Sequence, residues 1–267
     1  DCLDERIYIQ NWGIYIPGKS VQYLRYRYGN WRRKNPDWKW QYEDGALRSH
    51  RSLEDINRIY QDLQKKYGDP SLDAIVGHGR VNAPDLALVF MNPTARNIAA
   101  FPQWKGMKAP WIGMKPVWRM YSQLGLIDEE VFAQILEKKP KDWTPEFAEA
   151  VYNHVDSKGL YITNLSKATQ LDARPLPDAV FREYLDLFHR EMDLVKPKVI
   201  VTFGNQVSSV FLGQQVKVSE WRKKNDIYQI GKVQVPVFPV YYPVGQGMRN
   251  ITKAQEDLDW ILSSINK

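Results

Sequence analysis

Lys196-Pro197-Lys198-Val199-Ile200-Val201-Thr202-Phe203-Gly204-Asn205 is a short apolar run closed by Pro on one side and Gly on the other. It is too short for a buried helix and lacks the alternation of a strand with one wet face. A strand that is apolar on both faces is one covered on both faces, as in a parallel sheet with helices above and below it. Three further runs read the same way: Leu86-Ala87-Leu88-Val89-Phe90, Leu160-Tyr161-Ile162-Thr163, and Val235-Pro236-Val237-Phe238-Pro239-Val240-Tyr241. Apolar residues at helical spacing fill the intervals, near 114–125, 128–137, 144–156, 178–195 and 205–213, and a last helix is expected from Ala254 to Ile265. Pro236 and Pro239 predict that the final run is an edge strand, because proline cannot donate to a ladder. The expected fold class is α/β, a three-layer α/β/α sandwich with a central, mainly parallel four-stranded sheet.

That domain is expected over 51–267. Its first helix starts at Ser52, which opens an S-x-x-D cap; Leu53, Ile56, Ile59, Tyr60 and Leu63 follow until Gly68-Asp69-Pro70 stops the pattern. Residues 1–50 read as a separate β-prone N-terminal extension. Ile7-Tyr8-Ile9 and Ile14-Tyr15-Ile16 bracket Asn11-Trp12-Gly13, and Tyr28-Gly29-Asn30 is a further turn.

Charge is concentrated in that extension. Between Gly18 and Trp40 lie Lys19, Arg25, Arg27, Arg32, Arg33, Lys34 and Lys39 against Asp37 alone, so this stretch carries the whole net charge of +6. Tyr23, Tyr26, Tyr28, Trp31, Trp38 and Trp40 are interleaved with them. Basic groups among aromatics suit a phosphate backbone with stackable bases. They equally suit a hairpin whose rings pack inward while the arginines reach water.

Several chemistries are disfavoured. Cys2 is the only cysteine, so an internal disulfide, a Cys-based zinc site and an iron–sulfur cluster are out of reach. The four histidines (His50, His78, His154, His189) are scattered without metal-ligand spacing, and no metal or other cofactor is expected. No apolar run approaches the roughly 20 residues that span a bilayer, and the N-terminal residues lack a secretory h-region. A reducing, cytoplasmic setting without membrane contact is the expectation.

In such sheets ligands bind at the carboxyl ends of the strands. Those ends carry Met91-Asn92-Pro93-Thr94, Asn164-Leu165, Gly204-Asn205 and Tyr242-Pro243-Val244-Gly245-Gln246-Gly247. Taken in order, and from Leu72 to Ile265, they resemble the uracil-DNA glycosylase superfamily. Asp85 to Pro93 is similar to its first strand and water-activating loop, with the Asn-Pro of the mismatch-specific and single-strand-selective branches. Ala109-Pro110-Trp111-Ile112-Gly113 resembles the Pro-Phe-Val-Gly segment of the iron–sulfur branch. Tyr161 to Ala168 is similar to the strand ending in the base-reading Asn, and Lys196 to Gly204 to the fourth segment. Tyr241-Tyr242-Pro243 sits where a His-Pro-Ser-type motif would stand.

The resemblance implies a monofunctional DNA glycosylase of base-excision repair that flips a deaminated base, uracil first, and hydrolyses its glycosidic bond. Asn92 would hold the attacking water and Tyr242 would stand near the leaving oxygen, as the catalytic pair. Asn164 would hydrogen-bond the base edge, Met91 would line the base pocket, and Trp111, or Phe101 in its stead, would stack on the base. Met248 or Arg249, carried by the loop of Gly245 and Gly247, would wedge into the vacated stack. Arg96 is a phosphate or base contact or else a surface arginine, and Arg25, Arg32 and Arg33 are the extension's candidate DNA contacts. The partner expected is DNA, single-stranded or a mismatched duplex, bound by a monomer. Tyr242 departs from the usual His of the last motif, and Thr94-Ala95-Arg96-Asn97 lacks the glycine that follows Asn-Pro in several branches. A catalytically weak or inactive nucleic-acid-binding module on the same fold is the alternative. An enzyme acting on free bases or nucleosides would have little use for the basic cluster, and Gly245-Gln246-Gly247 is not a dinucleotide fingerprint, since it follows the last strand.

Overall fold

The computed structural model describes residues 6–9, 14–17, 52–95, 114–173 and 176–265. The chain divides into two compact units, Asp1–Asp44 and Gly45–Lys267. In the first, β1 (Arg6–Ile9) and β2 (Ile14–Pro17) form an antiparallel hairpin, with Ile9 opposite Ile14. The whole basic and aromatic stretch at 18–40, with the turn at Tyr28, lies outside the described residues.

The second unit opens with α1 (Leu53–Tyr67). Ser52 caps it, its side chain accepting the Asp55 N–H at 3.1 Å. A six-stranded sheet follows, built from β3 (His78–Gly79), β4 (Leu86–Phe90), β5 (Leu160–Asn164), β6 (Val199–Phe203), β7 (Asp226–Ile230) and β8 (Val233–Val240). Its order is β3-β5-β4-β6-β8-β7. β5, β4, β6 and β8 are mutually parallel and correspond to the four apolar runs, whereas β3 and β7 pair antiparallel at the two edges.

The sheet is therefore mixed and six-stranded, not four-stranded, and β8 is not an edge strand. Its prolines are tolerated because each lies where one flanking ladder has stopped. Pro236 is opposite Ile227 of β7 before the pairing with β6 begins, and Pro239 is opposite Thr202 of β6 after the pairing with β7 ends. A missing N–H costs little where no neighbour awaits it.

Helices cover both faces. After β4 come α2 (Lys115–Gln123), α3 (Glu129–Glu137) and α4 (Pro145–Ser157); α5 (Asp178–Val195) joins β5 to β6. Next are α6 (Asn205–Leu212) and the short α7 (Val218–Trp221), and α8 (Ile251–Ile265) closes the unit. Leu86, Leu88 and Phe90 point into one core with Trp118 and Tyr121 of α2, Val151 of α4 and Leu258 of α8. Ala87 and Val89 point into a second core with Phe188 and Met192 of α5 and Val207 of α6. Alternate side chains of one strand thus enter two cores, which is why the strands read as apolar without alternation.

From β4 the chain moves first to β5 on one side and later to β6 on the other. The order reverses at β4, so the crevice beyond the carboxyl ends of β4 and β6 is the topological switch point, where open α/β sheets bind ligands. Among the described residues no helix is long and apolar enough to cross a membrane.

Candidate active site

The carboxyl ends of β5, β4, β6 and β8 lie side by side along the edge of the sheet that holds this point. Phe90, the last residue of β4, pairs in register with Asn164, the last of β5. Met91 and Asn92 follow directly, both partly buried. The two segments beyond remain zipped by backbone hydrogen bonds: Leu165 N–H to Phe90 O at 2.8 Å, Ser166 N–H to Met91 O at 3.0 Å, and Gln170 N–H to Pro93 O at 3.1 Å. Asn92 and Asn164 are thereby carried on one continuous two-stranded ledge. The Asn92 Nδ2 donates to Pro93 O at 3.2 Å.

Asn164 is 2% exposed, and its Nδ2 has no hydrogen-bond partner among the described residues. A buried, unpaired amide costs about 1–3 kcal/mol. An amide so placed has a donor ready for a ligand oxygen.

Tyr242 reaches Phe90 from the end of β8. It lies just past β8, and its ring meets Phe90 edge-on with centroids 6.2 Å apart. Burial pushes its hydroxyl up to about 12, so it is a neutral donor at physiological pH. Two glycines set its position. Gly204, at the end of β6, has φ +92°, and a Cβ there would lie 3.3 Å from the Tyr242 Cβ. Gly247 lies so close that a Cβ would come 1.9 Å from the Tyr242 carbonyl oxygen. The Gly245–Asn250 turn of 3-10 helix is thus folded onto Tyr242, with Met248 at 45% exposure and Arg249 also exposed.

Asn164 lies in register with Phe90, Met91 and Asn92 follow Phe90 in the chain, and the Tyr242 ring meets Phe90, with Gly245, Gly247, Met248 and Arg249 on the loop after Tyr242. Trp111, Phe101, Arg96, Arg25, Arg32 and Arg33 lie outside the described residues. Asn205, the remaining strand-end amide, is spent on structure, since its Oδ1 accepts the Val218 N–H at 2.9 Å and starts α7. Among the described residues no cluster of three His, Cys, Asp or Glu side chains is placed to hold a metal.

Sequence reasoning missed what stands behind Asn164. Lys167 and Glu191 form an ion pair of 2.8 Å with side chains 0% and 2% exposed. The Lys167 Nζ also donates to Thr163 Oγ1 at 2.7 Å and to the backbone oxygen of Asn164. Glu191 accepts in addition from Tyr60 (2.7 Å), Tyr161 (3.0 Å) and Thr163 (2.8 Å). Desolvation lowers the Lys167 ammonium and raises the Tyr60 and Tyr161 hydroxyls, while Glu191 works against the loss of the lysine proton. Nothing in Leu165-Ser166-Lys167-Ala168 marks this lysine as buried, because its carboxylate partner comes from α5 and its phenol from α1.

Fold and site together define an α/β protein whose parallel strands end, about the switch point of the sheet, in Asn92, Asn164 and Tyr242. The family model of the uracil DNA glycosylase superfamily matches residues 92–263, and the chain belongs to that superfamily. The activity of that family is DNA glycosylase activity, a hydrolysis carried out on DNA in repair. Comparison with curated proteins gives no significant match.

Proposed function

We propose that the protein is a monofunctional DNA glycosylase that extrudes a deaminated base, uracil first, from single-stranded or mismatched DNA and hydrolyses its glycosidic bond. The observation that carries this reading is the buried Asn164 amide with its unpaired Nδ2 at the end of the strand next to β4. A side-chain amide carries one donor and one acceptor side by side, as does the edge of uracil, with its C=O beside an N–H. Nδ2 donates to the base oxygen and Oδ1 accepts from the ring N–H. Extrusion costs a few kcal/mol of unstacking, returned in part by stacking on Trp111 or Phe101 and by Met248 or Arg249 filling the gap.

As the bond breaks, positive charge grows on the sugar and negative charge on the base. Asn92, its Nδ2 held by Pro93 O, offers Oδ1 to a water on the sugar side. An amide cannot take the proton as a strong base, but a sugar cation already largely formed asks only for an oriented water. On the base side the neutral Tyr242 hydroxyl donates to the leaving oxygen, a fixed dipole worth about 3 kcal/mol by analogy with oxyanion holes. The Arg25, Arg32, Arg33 and Arg96 side chains serve the phosphates.

Base release is measured from single- and double-stranded oligonucleotides carrying uracil, hypoxanthine, xanthine or a thymine mismatch, with wild type beside Asn92→Ala and Asn164→Ala. Release of uracil by wild type, falling about 100-fold or more in each variant, is expected. Tight binding without release of any base would sink the enzyme and leave a nucleic-acid-binding module.

A further inference from the structure

We infer that Lys167 is a positioning residue for Asn164, and that the buried Lys167–Glu191 pair holds the base-reading amide in register with the base. The inference rests on the base-reading role of Asn164 proposed above.

A lysine with no exposed surface is costly unless every donor is used. Here all three N–H groups of Nζ are directed, to Glu191, to Thr163 Oγ1 and to the backbone oxygen of Asn164. The ammonium also lies 4.8 Å from the Tyr60 ring centroid and 4.7 Å from that of Phe188. Glu191 in turn has four donors, so the network is closed, and the one backbone group it grips is the carbonyl of the candidate reading residue. A satisfied network of this kind is stiff, and removing one member strands the others.

Three further contacts keep that ledge from sliding. Gln64 of α1 accepts the Thr169 N–H at 2.7 Å and donates to Thr169 O at 3.2 Å. The Thr169 hydroxyl donates to Asp73 O at 2.7 Å, and the Gln170 amide donates to Tyr67 O at 2.6 Å. Behind the network the chain passes so close at Gly77 that a Cβ would come 2.2 Å from the Tyr161 hydroxyl oxygen and 2.8 Å from Thr163 Oγ1. Tyr60, Gln64 and Gly77 all precede the residues matched by the family model. A purely structural ion pair has no need to hold the strand-end carbonyl next to an unpaired amide. A positioning device does, because an amide displaced by about 1 Å can lose a large part of its effect on rate.

The test uses the full chain, with Lys167→Met and Glu191→Gln made together so that neither charge is stranded, and Tyr60→Phe as a milder variant that keeps the pair. Two quantities are read: the Asn164 side-chain amide resonances, assigned through their absence in Asn164→Asp, and kcat/KM for uracil release. The double variant is expected to shift or broaden the Asn164 amide pair and to lower kcat/KM at least tenfold. In an Asn164→Ala background the same double substitution is expected to change kcat/KM less than twofold. Tyr60→Phe is expected to give a smaller change of the same kind, which decides the matter if the double variant does not fold. Unmoved amide resonances, or a loss that recurs in full in the Asn164→Ala background, would overturn the inference. If wild type releases no base the proposed function fails instead, and the amide resonances alone decide the positioning, movement supporting it and constancy overturning it.

Discussion

A tyrosine stands where a histidine would be expected in the last motif, and its surroundings decide what it contributes. Tyr242 is packed on Phe90 and held from two sides by Gly204 and Gly247, and burial pushes its hydroxyl up to about 12. A folded-state value above the ordinary one of about 10 means that the proton stays on throughout the neutral and mildly alkaline range. Tyr242→Phe is expected to lower kcat about 100-fold while leaving KM within twofold, because a single donor to a developing anion is lost and the ring remains. The wild-type pH–rate profile is expected to show no alkaline fall assignable to Tyr242 up to about pH 11. A fall near pH 10 that Tyr242→Phe removes would contradict this placement. The places of Asn92, Asn164 and Tyr242 at or just past strand ends were legible in the sequence, because each closes an apolar run. Lys167 was not, since burial of a lysine depends on partners that the chain brings from α1 and α5.

Elements add what single residues do not carry. The turn from Gly245 to Asn250 is folded against Tyr242, and the 1.9 Å approach at Gly247 leaves no room for a side chain. Gly247→Ala is expected to push this turn away from Tyr242, lowering kcat/KM at least tenfold and stability by about 1–3 kcal/mol. Uracil release and the urea midpoint read the two effects, and unchanged values for both would mean that the loop relaxes without cost. At the same scale, helical spacing placed α2 to α6 within a residue or two of their observed bounds, because each buries a stripe against the sheet. The two edge strands escaped. The β7–β8 hairpin had a signal, Gly231-Lys232 between Ile230 and Val233, with Gly231 at φ +58° as such tight turns demand. β3 had none: two residues, His78 and Gly79, pair with β5 only because Gly79 allows the backbone to approach Leu160 O, to which a Cβ would be 2.2 Å.

Across the whole molecule, the net charge of +6 concentrated at 18–40 belongs to the unit Asp1–Asp44, while the crevice belongs to Gly45–Lys267. DNA binding is expected to weaken steeply with salt, and replacing Arg25, Arg32 and Arg33 together by Gln should reduce the slope of log K against log salt by up to about three. Equal slopes for wild type and the triple variant would show that these arginines do not meet phosphates. The amino-acid sequence by itself determined the α/β class, the parallel centre of the sheet, the bounds of most helices and the strand ends where chemistry could sit. These follow from local periodicity and from glycine and proline, which act on neighbouring residues. Tertiary structure alone decided the β3 edge of the sheet, the meeting of Tyr242 with Phe90 and the closed network of Lys167, Glu191 and Tyr60. Each of these depends on contacts between residues far apart along the chain, and whether a proline is tolerated or a lysine buried is settled only by what the folded chain sets beside it.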